Sequence, residues 1–203
     1  MSAPPVGRRE RKKAATRQAI ADAALLLFLE RGFDAVNVRD IAEAADVSTT
    51  TLFKHFPSKE ALLFDEDEAR ETRLVGVVRH RSAGQTVPQA LRDSILATWD
   101  HHLLHPRIAE FEALTQSTPA LQDYARRMNF KLEQAVTAAV AAEVGRPDDD
   151  PACRALVRFA FEAPLLARTA PDPGKALRQI FDLIEQGWAA VISPVTDAAL
   201  PEV

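Results

Sequence analysis

Apolar positions recur at helical spacing along almost the whole chain, and no stretch alternates with the period of two that a half-buried strand requires. From about Arg11 to Arg31, Ile20, Ala23, Ala24, Leu27 and Phe28 fall on one face among strong helix formers. Gly32 follows, where a positive φ costs it nothing. Val38, Ile41, Ala42 and Ala45 give a shorter stripe. Asn37 can open that helix by accepting an orphan backbone N–H, and Asp40 in its first turn suits the helix dipole. Asp46 comes next, a residue that tolerates a left-handed turn. Ser48 caps a third short helix, Leu52 and Phe56 anchor it from below, and Pro57 stops it. Ser58 to about Arg81 then reads as one long helix with Leu62, Leu63, Ala69, Leu74, Val77 and Val78 on its apolar face.

The second half continues the pattern. Pro88 opens a helix over Gln89 to His105, and Pro106 ends it. A short helix covers Arg107 to Gln116. Ser117 or Thr118 caps the next, which has Pro119 in its first turn and runs to about Val144. Ala152 to Thr169 is helical, with Pro164 expected to kink or split it. Pro173 opens the last helix, to about Ile192. The expected fold is all-α with about nine helices. An N-terminal three-helix helix-turn-helix domain (11–64) is joined by a long helix to a C-terminal helical domain (65–192). A disordered basic arm (1–10) and a frayed tail (193–203) flank them.

Two short helices joined by three or four residues match the helix-turn-helix pattern. The second of them carries Thr49, Thr50, Thr51, Lys54 and His55 away from its Leu52/Phe56 side. Hydroxyls can bond base edges or phosphates, a Thr methyl can meet a thymine methyl, and Lys and His can reach phosphate or guanine. Lys59, behind the Ser58 cap, is a further candidate for phosphate contact, and Arg39, in the first turn of the preceding helix, is one for phosphate or base-edge contact. The bland alternative is a small amphipathic helix with a solvated polar face.

Charge separates along the chain. Residues 1–64 hold 10 Lys+Arg against 8 Asp+Glu, a net of +2; residues 65–203 hold 15 against 21, a net of −6; together they make the −4 of the whole. Arg8, Arg9, Arg11, Lys12, Lys13 and Arg17 cluster at the start, where they can follow a DNA backbone or remain a solvated tail. Binding DNA requires a local basic face rather than a basic protein. Cys153 is the one cysteine, so there is no internal disulfide and no multi-cysteine metal site. His101 and His105 share a helix face, but no third ligand is evident, and beside Pro106 they better suit a helix C-terminus or pocket polarity. No cofactor or metal is expected. No Gly-rich phosphate loop, nucleophile elbow or HExxH motif is present, so an enzyme reading finds no site. No apolar run is long enough to span a membrane, and no secretory signal opens the chain. A cytoplasmic protein is expected.

The run Gly32-Phe33, Val38-Arg39-Asp40-Ile41-Ala42, Ala45-Asp46-Val47-Ser48, Thr51-Leu52-Phe53, His55-Phe56 and Ser58-Lys59-Glu60-Ala61-Leu62 resembles the DNA-binding domain of the TetR family. The likeness covers roughly Thr16 to Phe64. It implies an all-α dimeric transcription regulator, usually a repressor released by a small ligand. It also implies DNA contacts from the recognition-helix stretch beginning at Ser48, and a phosphate role for Lys59. Asp46 stands where the family often has Gly. Phe53 stands where it usually has Tyr, so the hydroxyl that contacts phosphate is missing.

The resemblance further implies, by position only, that the last two helices meet a dimer mate as a four-helix bundle, with Leu156, Phe159, Phe181, Ile184 and Trp188 on them; each of these residues also suits ordinary intrachain core. A two-fold dimer would read an inverted repeat, its two recognition helices roughly 34 Å apart. Trp99, His102, Phe111, Leu114, Tyr124, Met128, Phe159 and Glu162 are plausible lining for a mostly apolar effector pocket, although any one of them is more at home in plain core. An activator, or a regulator answering to a protein partner, would have the same DNA-binding sequence.

Overall fold

The computed structural model describes residues 7–64, 67–103 and 107–192, excluding the side chains of 67, 68 and 99–103. Most of the expected arm, Pro106 and the whole of the expected tail lie outside the described residues, as do the side chains of Trp99, His101, His102 and His105. Among the described residues the structure is all-helical. It comprises α1 (Arg8–Arg31), α2 (Val38–Ala44), α3 (Thr49–His55), a 3-10 turn (Glu60–Leu62), α4 (Asp67–Arg79), α5 (Val87–Leu103), α6 (Ile108–Ser117), α7 (Pro119–Val144), α8 (Pro151–Ala167) and α9 (Pro173–Ile192). Two compact units form: Met1–Asp67 with Pro106–Met128, and Glu68–His105 with Asn129–Val203.

The first unit is built on the stripe of α1. Ile20, Ala24 and Phe28 are fully buried and meet Val36, Ile41, Leu52, Phe56, Leu62 and, from α7, Leu121. The unit therefore includes more than the expected helix-turn-helix segment, because α6 and the start of α7 close its core. Helix α1 starts at Arg8 rather than Arg11: the basic cluster is itself helical, with Glu10 in the first turn where the dipole favours an acid.

The expected long helix from Ser58 to Arg81 is not continuous. Ser58 Oγ accepts from Ala61 N (3.3 Å), and the turn that follows closes through the tighter bonds Leu62 N to Lys59 O (3.3 Å) and Leu63 N to Glu60 O (3.0 Å). Phe64 then leaves helical geometry. Its ring stacks on Tyr124 (5.2 Å, 23°) and meets Phe111 edge-on (5.9 Å, 73°). Aromatic packing within this unit, which local periodicity does not register, accompanies the break.

The second unit packs α4, α5, α8, α9 and the C-terminal part of α7. Leu74, Val78, Leu91, Val136, Val140, Val157, Leu177 and Phe181 fill its core, and Ala139, Ala160, Ala163 and Ala167 are fully buried where helices approach closely. Thr86 and Gln89 form a reciprocal capping box at the start of α5. Both also bond Glu185 Oε1 of α9, at 3.2 and 2.6 Å. Asp150 caps α8 by accepting from Ala152 N (3.0 Å) and Cys153 N (2.9 Å). The backbone N–H of Cys153 and the nearby Arg146 hold the Asp150 carboxyl below its usual range, against its partial desolvation. Burial pushes the Cys153 thiol up to about 11, so it is a core residue and not a nucleophile. Pro164 does not split α8. It lies in the last turn, and the helix ends at Ala167.

Leu156, Phe181 and Trp188, expected at a dimer interface, are buried in this unit's own core, and Ile184 is partly buried against it. The strongest apolar stripe on α8 and α9 is the one that faces inward. The apolar side chains left outside are Phe159, Leu165 and Leu166 on α8 and Leu183, Val191 and Ile192 on α9.

Candidate nucleic-acid interface

The turn between α2 and α3 follows from local chemistry. Asn37 Oδ1 accepts from Arg39 N (2.9 Å) and Asp40 N (3.1 Å), while Asn37 N donates to Asp40 Oδ2 (3.0 Å), a closed capping box. Helix α2 ends at Ala44, Val47 N returns to Ala42 O (2.9 Å), and Asp46 takes φ +53°. Asp46 is the one non-glycine residue with positive φ among the described residues. Its short polar side chain makes that conformation tolerable. Ser48 then opens α3, its Oγ accepting from Thr51 N (3.1 Å).

Seven residues of α3 divide cleanly. Leu52 is buried, and the following Phe56 is buried below it. Thr50, Phe53 and Lys54 are exposed, and Thr49 is partly so. At i, i+4 spacing these make two outward pairs, Thr49 with Phe53 and Thr50 with Lys54. Phe53 is 52% exposed and, with Asn37, Val38, Arg39 and Thr49, lines an open concavity between the start of α2 and α3. Arg39 is exposed at its rim.

Four of the expected contacts are placed differently. The hydroxyls of Ser48 and Thr51 bond each other at 2.9 Å, so they serve the cap of α3. His55 is half-buried, and its carbonyl accepts from Arg17 Nη1. Lys59 points inward: Nζ donates to Phe33 O (2.5 Å) and lies 4.2 Å from the Phe33 ring centre and 5.6 Å from that of Phe28. Desolvation lowers its pKa, although Asp34 and Glu60 favour its charge. The sequence does not single out Arg17 beyond the basic cluster, because His55, whose carbonyl it meets, is 38 residues away.

An outward face of small hydroxyls, one aromatic ring and one cation on a two-turn helix, with Arg39 of α2 beside it, is the shape and chemistry of a major-groove reader. The family profile described as "Bacterial regulatory proteins, tetR family" matches residues 20–65. The transcriptional regulator TcmR of Streptomyces glaucescens is 31% identical over 155 residues, covering 71% of this chain and 67% of that one. The chain belongs to the TetR family. MftR of Mycobacterium tuberculosis, named as a transcriptional regulator, is 30% identical over 142 residues, covering 69% and 71% of the two chains. The structure of SmeT in complex with triclosan shares the fold, with 20% identity, a TM-score of 0.58, and coverage of 93% of this chain and 100% of that one. As a TetR-family protein the chain is a DNA-binding transcriptional regulator and not an enzyme.

The residues expected to line an effector pocket are divided between the two units. Phe111, Leu114, Tyr124 and Met128 belong to the DNA-binding unit, and Leu114 and Tyr124 pack against its core. Phe159 and Glu162 are exposed on α8 of the other unit, with Glu162 3.8 Å from Arg158, so neither lines an enclosed cavity within that unit. Trp99 and His102 lie outside the described side chains. Among the described residues, no helix is long and apolar enough to cross a membrane.

Proposed function

We propose that this TetR-family protein is a homodimeric, cytoplasmic repressor that reads an inverted-repeat operator and is released by a small molecule. The observation that carries the DNA reading is the outward face of α3: Thr49, Thr50, Phe53 and Lys54, with Arg39 at its edge. Thr49 and Thr50 are assigned to base edges, Phe53 to apolar contact in the groove, and Lys54 and Arg39 to phosphates. The helical cluster Arg8, Arg9, Arg11, Lys12 and Lys13 adds salt-sensitive attraction.

The dimer reading rests on the exposed apolar face of α8 and α9. Phe159, Leu165, Leu166 and Leu183 are each more than half exposed, which is unusual for large apolar side chains left in water. A second copy covering that face would pair two recognition helices and impose two-fold symmetry on the site. The effector reading follows SmeT, whose structure holds triclosan. A ligand that favours one dimer geometry over another changes operator affinity without touching α3.

The test is selection of random duplex DNA by the purified protein at two salt concentrations. The expected result is an enriched inverted repeat whose affinity falls steeply with salt. Enrichment of a single, unrepeated site would refute the dimeric reading, and no enrichment at either salt would refute sequence-specific binding by the unliganded protein.

A further inference from the structure

Arg17 is a cation of the DNA-binding unit that does not face outward. It is half-buried on α1, donates from Nη1 to the carbonyl of His55, and holds its Cζ 4.3 Å from the centre of the fully buried Phe56 ring. Those partners sit at the C-terminal end of α3. The last carbonyls of any helix lack intrahelical donors, and a helix of seven residues is too short to hold itself together. Here the difficulty is sharper. Phe56 N still donates to Leu52 O (2.9 Å), but the next residue is Pro57, which has no N–H to offer Phe53 O. Phe56 itself is extended, at φ −133° and ψ 122°. The C-terminal turn of α3 is therefore supported from outside, by a positive group where the helix dipole favours one. Ser48 secures the other end.

We infer that Arg17 is a positioning residue for sequence reading: it fixes the seat of α3 on α1, and so the placement of Thr49, Thr50, Phe53 and Lys54 in the groove. The inference rests on α3 being the recognition helix. Hydrogen bonds to base edges are directional and fail with small displacements, whereas attraction to phosphates is long-ranged. Loss of the clamp should therefore reduce discrimination between sequences more than it reduces attraction to DNA.

The experiment uses the full chain, the selected operator and a random duplex, each titrated over a salt series well below the unfolding midpoint. Arg17→Met keeps an apolar stem without a donor. It should bind the operator about tenfold more weakly and the random duplex nearly as well as wild type, with an unchanged slope of log affinity against log salt. Arg17→Lys, which can still donate to the carbonyl, should recover most of the lost ratio. A slope smaller by about one, with equal losses on both DNAs, would make Arg17 a phosphate contact and overturn the inference. So would a lowered melting temperature with the wild-type ratio intact. Should Arg17→Met not fold, Arg17→Gln decides: a reduced ratio at unchanged slope supports the clamp, and a wild-type ratio overturns it. A wild-type chain that prefers no sequence sinks the DNA reading itself, which is distinguishable from a preference that survives loss of Arg17.

Discussion

Lys59 and Lys54 show what a single residue's surroundings do to its role. Both are cations near the recognition helix, and on sequence alone both are candidates for DNA contact. Lys54 is exposed, whereas Lys59 donates to Phe33 O and lies over the Phe33 ring. An ammonium over an aromatic face and bonded to a carbonyl has exchanged hydration for protein contacts. Lys59→Met should therefore lower the melting temperature by several degrees, at roughly 4–8 °C per kcal/mol for a small domain, and leave the salt slope of operator binding unchanged. Lys54→Met should do the reverse, reducing the slope by about one at an unchanged melting temperature. A smaller slope in Lys59→Met would return Lys59 to the phosphates. The sequence made Asn37, Asp40, Asp46 and Ser48 legible because their partners are within five residues. It hid the partners of Lys59 and Arg17, which are 26 and 38 residues away.

At the scale of elements, caps and prolines were readable and continuity was not. Helix α2 has seven residues, so its closed capping box is a large share of what holds it. Asn37→Ala should destabilise the protein by about 1 kcal/mol, and Asn37→Asp should restore most of that. Thermal unfolding of the two variants checks this; equal loss in both would mean that the side-chain oxygen is not what matters. The division between Glu60–Leu62 and α4 was not visible, because the stripe Leu62, Leu63, Leu74, Val78 satisfies one helical period across two separate elements. Leu62 serves the core of one unit, and Leu74 and Val78 serve that of the other. Periodicity reports that a face is apolar, not which neighbour covers it. Leu156, Phe181 and Trp188, which the family resemblance places at an interface by position, lie on the stripe that covers the second unit's own core.

At the scale of the whole molecule, the positive charge sits in the segment that carries α3, while the rest of the chain is acidic. The net positive charge that favours DNA is thus carried by one part of the sequence. Leu166 and Leu183 are 65% and 72% exposed, so replacing them with Glu removes little from the packing of a single chain. Leu166→Glu with Leu183→Glu should leave thermal unfolding of the monomer cooperative and the core intact. In a dimer joined through α8 and α9, the same change puts unpaired carboxylates into an apolar contact, which is strongly unfavourable. The double variant should therefore sediment as a monomer at concentrations where wild type is dimeric. Its affinity for a single half-site should match that of wild type, and its affinity for the full inverted repeat should fall at least a hundredfold. The reason is that linked half-sites bind at high effective concentration, and that gain disappears when the subunits part. A variant that stays dimeric and keeps its operator affinity would move the interface away from this face, and would leave its exposed leucines to some other contact.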